Sequence, residues 1–142
     1  MYENYAPNDQ QSAADRYQSA LLCAKNIGNI QGRVLLQSSA RHAYDTDKVI
    51  AHARSYVCEL EKAGIPRDRV CIKIPATGPA LNASLVLFEE GIRTLGTSVF
   101  SVAQAIAASQ AKCLSISPYI NCQFAHETFP EHTYMRVLTC KC

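Results

Sequence analysis

The chain has no apolar run approaching the ~20 residues that span a bilayer, so no membrane helix is expected. It has no basic block either: the formal net charge is +2 over 142 residues, with Lys and Arg scattered. Zinc-finger spacing and aromatic–basic interleaving are missing, which argues against nucleic acid as a partner. Glycine-rich phosphate loops are absent, because Gly78, Gly91 and Gly96 make neither a P-loop nor a dinucleotide fingerprint. There is no serine elbow and no metal-binding histidine pair on one helix. Met1-Tyr2-Glu3-Asn4 lacks a basic segment followed by an apolar one and does not read as a secretory signal.

What is present is globular. The hydrophobic content is 48%, and 142 residues fit one domain. The seven cysteines are an odd number for a disulfide framework. Cys23, Cys58, Cys71 and Cys113 fall on predicted apolar faces, where free thiols serve as small hydrophobes. These features point to a cytoplasmic protein. Cys122, His126, His132, Cys140 and Cys142 cluster towards the C-terminus, but their spacing matches no usual zinc pattern, so no metal is expected.

Residues 1–11 are polar and read as a flexible lead. Ala14, Tyr17, Leu21 and Ala24 recur at helical spacing and predict a helix over Ser12–Asn26. Gly32–Gln37 reads as a short strand. Asp45 or Thr46 caps a second helix whose face is Ile50, Ala53, Val57 and Leu60, ended by Ala63-Gly64-Ile65-Pro66. Residues 70–75 form the next strand. A third helix runs from about Pro79 to Glu90, with Leu81, Ser84, Leu85 and Phe88 on its stripe. A strand follows over Ile92–Thr97. Ser101 and Gln104 have capping-box spacing and open an alanine-rich helix to about Lys112. A fourth strand spans Cys113–Ser117. Residues 123–142 show neither period and read as an irregular tail. Alternation of amphipathic helices with short apolar strands predicts an α/β fold with about four parallel strands. That order fits an open doubly wound sheet or part of a closed barrel.

One strand contains an unexpected residue. Lys73 interrupts the run Arg69-Val70-Cys71-Ile72-Lys73-Ile74-Pro75-Ala76-Thr77, and a lysine is rarely buried without a partner or a purpose. An isolated strand lysine also snorkels to solvent, so the residue is informative only in company. That company is at hand. Gln37 closes the first strand, Thr97 ends the third, and Tyr119 lies just beyond the fourth. In a parallel α/β sheet the carboxyl ends of the strands share the ligand-binding rim. A lysine amine at such a rim, once unprotonated, adds to a ketone or aldehyde. Gln37, Thr97 and Tyr119 are candidates to hold water and pass protons as the imine forms.

In these stretches the chain resembles the superfamily that joins transaldolases and the small fructose-6-phosphate aldolases. The resemblance rests on Gly32-Arg33-Val34, Ala40-Arg41 with Tyr44-Asp45-Thr46, Ile72-Lys73-Ile74-Pro75-Ala76-Thr77 and Glu90-Gly91-Ile92. It continues through Thr94-Leu95-Gly96-Thr97, Phe100-Ser101 with Gln104-Ala105, and Ile116-Ser117-Pro118-Tyr119-Ile120-Asn121, covering roughly residues 12–122. It implies a (β/α)8 TIM barrel of which this chain carries the third to sixth strand–helix units. It further implies Schiff-base transfer of a dihydroxyacetone unit between sugar phosphates in the pentose phosphate pathway, with no cofactor. Lys73 falls on the family's Schiff-base lysine and Thr97 on its water-positioning threonine. Gln37 and Tyr119 match residues of the small aldolases, and Ser117 the serine of transaldolases proper. Thr77 and Leu95 complete the expected substrate-binding set.

Two departures accompany the resemblance. The family's phosphate-binding arginine falls at Cys122, and no counterpart of its first-strand aspartate precedes the Ser12–Asn26 helix. A closed barrel takes about 250 residues, so the chain reads as a fragment, a truncated gene model or a degraded paralogue. Its open sheet edges predict self-association. Three functions stay open: a transaldolase-like enzyme, a catalytically inactive remnant, and a Schiff-base aldolase on unphosphorylated or small ketoses.

Overall fold

A computed structural model describes residues 8–119, with side chains from Ala14 onward. The elements are α1 (Asn8–Asn26), β1 (Val34–Gln37), α2 (Thr46–Lys62), β2 (Val70–Pro75), α3 (Gly78–Glu89), β3 (Arg93–Val99), α4 (Val102–Gln110) and β4 (Ser115–Pro118). All neighbouring strands pair in parallel, in the spatial order β1-β2-β3-β4.

That order decides between the two architectures the sequence allowed. A doubly wound sheet reverses direction at a switch point and places helices on both faces. Here each strand is added beside the last, without reversal. The crossovers also share a face. Val34, Val70, Ile72 and Ile74 pack with Val49, Ala53, Val57 and Leu60 of α2 and with Ala80, Ala83 and Leu87 of α3. Gly96, the register partner of Ile74, meets Ala108 of α4 on that same face. The structure is a four-strand segment of a (β/α) barrel.

Local chemistry sets the helix starts. The Asp45 carboxylate accepts the Lys48 amide at 3.0 Å and caps α2. Thr77 caps α3 by accepting from the Ala80 amide at 3.3 Å, with Pro79 in the first turn. Ser101 caps α4 by accepting from the Gln104 amide at 3.2 Å. Each satisfies a backbone donor that the first helical turn leaves unpaired. The α2 stripe is buried as expected, and each fully buried Leu or Ile of this layer contributes about 1.5–3 kcal/mol.

The structure corrects three expectations. Tyr17 and Leu21 of α1 are exposed; the helix is rotated so that Ala20, Cys23 and Ala24 meet the core. Both stripes, which share Ala24, have helical spacing, so periodicity alone could not choose between them. Leu85 is exposed on α3, where the smaller Ala80, Ala83 and Ser84 are buried because this helix packs close to the sheet. Cys58 is exposed too, while Cys71 and Cys113 are buried free thiols as expected. Among the described residues no helix is long and apolar enough to cross a membrane. The cluster Cys122, His126, His132, Cys140 and Cys142, like the expected tail, lies outside the described residues.

Candidate active site

Side chains alternate across a strand, so residues two apart in β2 face away from the helices. Since Ile72 and Ile74 face the helices, Lys73 faces the opposite, inner side. Register then aligns one row across the sheet: Gln37 with Lys73, Lys73 with Leu95, and Leu95 with Ser115. The next row towards the carboxyl ends is Pro75, Thr97 and Ser117. Five of the residues singled out in sequence, Gln37, Lys73, Leu95, Thr97 and Ser117, therefore lie on one face within two adjacent rows.

The environments differ along these rows. Lys73 is half-buried between neighbours that are otherwise buried in β2. Leu95 and Thr97 are buried, Ser117 is half-buried, and Gln37 is exposed on the edge strand. The Gln37 amide donates to the Ser38 carbonyl at 3.3 Å, and the Ser38 amide donates to the Lys73 carbonyl at 2.8 Å. The Thr97 hydroxyl is fully enclosed and has no hydrogen-bond partner. A buried hydroxyl without a partner costs about 1–3 kcal/mol, which is a reason to look for a ligand or water there.

Tyr119 follows β4 directly, and its amide donates to the Val99 carbonyl at 2.9 Å. Its ring packs edge-on to Phe100, with centroids 5.3 Å apart. The phenol is held below its ordinary range, first by the Thr97 side chain, then by that of Ser98, with the Lys73 charge adding to both. The Thr97 side chain is near enough to act on the phenol, yet its hydroxyl makes no formed hydrogen bond. Lysine, threonine and tyrosine thus converge from three strands.

Thr77 stands apart from this group. Its hydroxyl donates to the Ala43 carbonyl while accepting from the Ala80 amide, tying the β1–α2 connection to the start of α3. Cys71, one row below Lys73, has its thiol pushed up to about 11 by burial, so it stays protonated.

Two residues near the site were not anticipated as part of it. Ser98 has φ 56, a left-handed conformation unusual for a side-chain-bearing residue, at a register irregularity between Thr97 and Val99. Bulges of this kind re-aim side chains beside active sites. No local sequence signal marks it, since glycine would be the expected residue. Gln104 was legible as a helix-cap partner, but its side chain reaches β2 and β3 as well.

The structure thus sets a rim lysine on the inner face of a (β/α) barrel segment, beside a hydroxyl and a phenol. The family comparison adds to this. The Transaldolase/Fructose-6-phosphate aldolase family matches residues 1–127, and the chain belongs to that family. A transaldolase of Vibrio cholerae is 36% identical over 122 residues, covering 82% of this chain and 39% of the relative. A transaldolase of Gloeobacter violaceus is 41% identical over 96 residues, 68% of this chain and 25% of the relative. One of Synechocystis sp. is 44% identical over 91 residues, 64% of this chain and 23% of the relative. The chain spans about a quarter to two fifths of the length of these relatives.

Proposed function

We propose that Lys73 forms a Schiff base with a ketose sugar phosphate and that the chain supports transaldolase-like transfer of a dihydroxyacetone unit. The substrates by this reading are sedoheptulose 7-phosphate and glyceraldehyde 3-phosphate, giving erythrose 4-phosphate and fructose 6-phosphate in the pentose phosphate pathway of the cytoplasm. The observation that carries it is the convergence of a half-buried Lys73 with the unpartnered Thr97 hydroxyl and the Tyr119 phenol. Belonging to a family whose relatives bear the name transaldolase supports the reaction class.

In this mechanism the neutral Lys73 amine adds to the ketose C2 carbonyl, and the carbonyl oxygen takes up a proton to give a carbinolamine. That hydroxyl leaves as water once protonated, the nitrogen gives up a proton, and the C=N bond forms. Tyr119 is the proton donor and acceptor at the leaving oxygen, its phenol held below the ordinary tyrosine range by the Thr97 and Ser98 side chains. Thr97 orients the water through its free hydroxyl from β3, and Gln37 polarises it from β1, on the other side of the Lys73 strand. Leu95 and Ser117 line the two adjacent rows on which the substrate lies. The protonated imine then accepts the electron pair of the C3–C4 bond as it breaks, giving an enamine, while the C4 hydroxyl gives up its proton to solvent and C4 leaves as the aldehyde.

Reduction with borohydride in the presence of fructose 6-phosphate tests this directly. A covalent adduct on Lys73, absent from Lys73→Met, is the expected outcome; no adduct on folded protein would sink the reading.

A second reading has its own observation. Gln37 is exposed, and its neighbour Leu35 is 53% exposed on the same inner face of the edge strand β1. Pairing of such an edge with another chain is a familiar hazard, so by this reading the chain self-associates without turnover. Sedimentation of the wild-type chain beside a Leu35→Lys variant separates the two: a wild-type oligomer with no adduct favours the second.

A further inference from the structure

Gln104 lies in the first turn of α4, and its side-chain amide uses every hydrogen-bonding group it has. Its Oε1 accepts the Phe100 amide at 2.8 Å and the Ser101 hydroxyl at 3.4 Å. Its Nε2 donates to the Ala76 carbonyl at 3.0 Å and to the Ser98 carbonyl at 3.3 Å. Two acceptor sites and two hydrogens are the full inventory of a glutamine amide. A residue that only completed a helix cap would need the acceptor alone.

The two carbonyls are specific ones. Ala76 directly follows β2, the Lys73 strand, and its amide donates to the Thr97 carbonyl at 2.7 Å. Ser98 is the left-handed residue of the β3 irregularity, next to Thr97 and beside the Tyr119 phenol. A left-handed residue with a side chain costs about 1–2 kcal/mol and persists only when its surroundings hold it. Gln104 grips that peptide from a rigid helix and joins it to the end of the lysine strand.

We infer that Gln104 is a positioning residue: its amide fixes the ends of β2 and β3 against each other and, through the Ser98 peptide, the placement of Thr97 and Tyr119 relative to Lys73. The consequence for turnover rests on the Schiff-base reading above; the geometric role does not. Only glutamine fits this task. Glutamate has no hydrogens for the two carbonyls, asparagine is one methylene short, and methionine has no donors.

Three measurements test it. In the unmodified protein, the Gln104 side-chain amide hydrogens should exchange about tenfold more slowly than those of the exposed Gln110; equal rates would overturn the inference. In Gln104→Met, the Tyr119 phenol, followed by tyrosine ring-carbon NMR and assigned with Tyr119→Phe, should return towards the ordinary tyrosine range. An unchanged titration in folded Gln104→Met would also overturn it. For adduct formation, Gln104→Glu should fall about tenfold or more at neutral pH and recover as its carboxyl protonates and regains a hydrogen to donate. Gln104→Met should not recover, and parallel pH profiles for the two would count against positioning. If wild-type Lys73 forms no adduct, the Schiff-base reading fails while amide exchange and phenol titration still decide the role of Gln104. If the variants do not fold, exchange in the unmodified protein decides it.

Discussion

Gln37 and Lys73 are register partners on adjacent parallel strands, and the Ser38 amide fixes that register by donating to the Lys73 carbonyl at 2.8 Å. Residues thirty-six apart in sequence are thereby side by side on one face. A slip of one residue would turn one of them towards the helices, so strand register is the first determinant of the site.

Thr97→Val removes a buried hydroxyl that has no partner, without changing the shape of the side chain. Stability should hold or rise by up to about 1 kcal/mol, while borohydride-trapped adduct falls about tenfold or more. Urea unfolding and adduct mass spectrometry on the same preparation check both parts. Loss of stability with full adduct formation would assign the hydroxyl a purely structural role.

Gly96→Ala tests how closely α4 approaches the sheet. A Cβ at Gly96 would lie 3.2 Å from the Ala108 Cβ, with Cys113 Sγ and Ile116 Cγ2 at 3.7 Å. Overpacking of this kind costs about 1–3 kcal/mol. Combining it with Ala108→Gly should recover part of the loss, less the helix-propensity cost of glycine, about 1 kcal/mol. Denaturant midpoints of the two single variants and the double variant measure the coupling.

Thr77→Ala separates scaffold from substrate contact. The residue caps α3 and holds the Ala43 carbonyl, so about 1–2 kcal/mol of stability should be lost. If the hydroxyl also meets substrate, the sugar concentration giving half-maximal trapping rises as well. An unchanged midpoint in urea would refute the capping role.

His52 sets a pH dependence. Burial lowers its pKa from 6.5 to about 4, with the His42 and Arg16 charges adding to the effect. Its Nδ1 accepts the Ser39 amide at 3.2 Å, a bond that the protonated ring cannot make. The folded state therefore holds this ring neutral while the unfolded chain takes up a proton below pH 6.5. The contribution is complete above 6.5 and is lost as pH falls to about 4. Urea midpoints across that range should decline, and His52→Gln should flatten the decline.

Much of the fold was legible because its signals are local. Asp45 and Ser101 sit where a capping residue must sit, and Ile50, Ala53, Val57 and Leu60 recur at a spacing that only a helix turns to one side; the Thr77 cap of α3 emerged only in the structure. The stripe on α1 is ambiguous because Ala14-Tyr17-Leu21-Ala24 and Ala20-Cys23-Ala24, continued by Ile27 just past the helix, satisfy the same period. Which one is buried depends on where α2 lies against that helix, and no residue of α1 encodes it alone.

For the candidate site the division is similar. The sequence by itself determined the strands, their polar ends and the lysine among apolar neighbours, because strand propensity, capping and turn chemistry act over a few residues. Only the tertiary structure decided that the helices share one face, which of two α/β architectures follows, and that Gln37, Lys73, Leu95, Thr97 and Ser117 share the other. It alone produced the left-handed Ser98 and the reach of Gln104 to two strand ends. Those features depend on backbone pairing between segments tens of residues apart, and hydrogen bonds across such distances exist only once the sheet has formed.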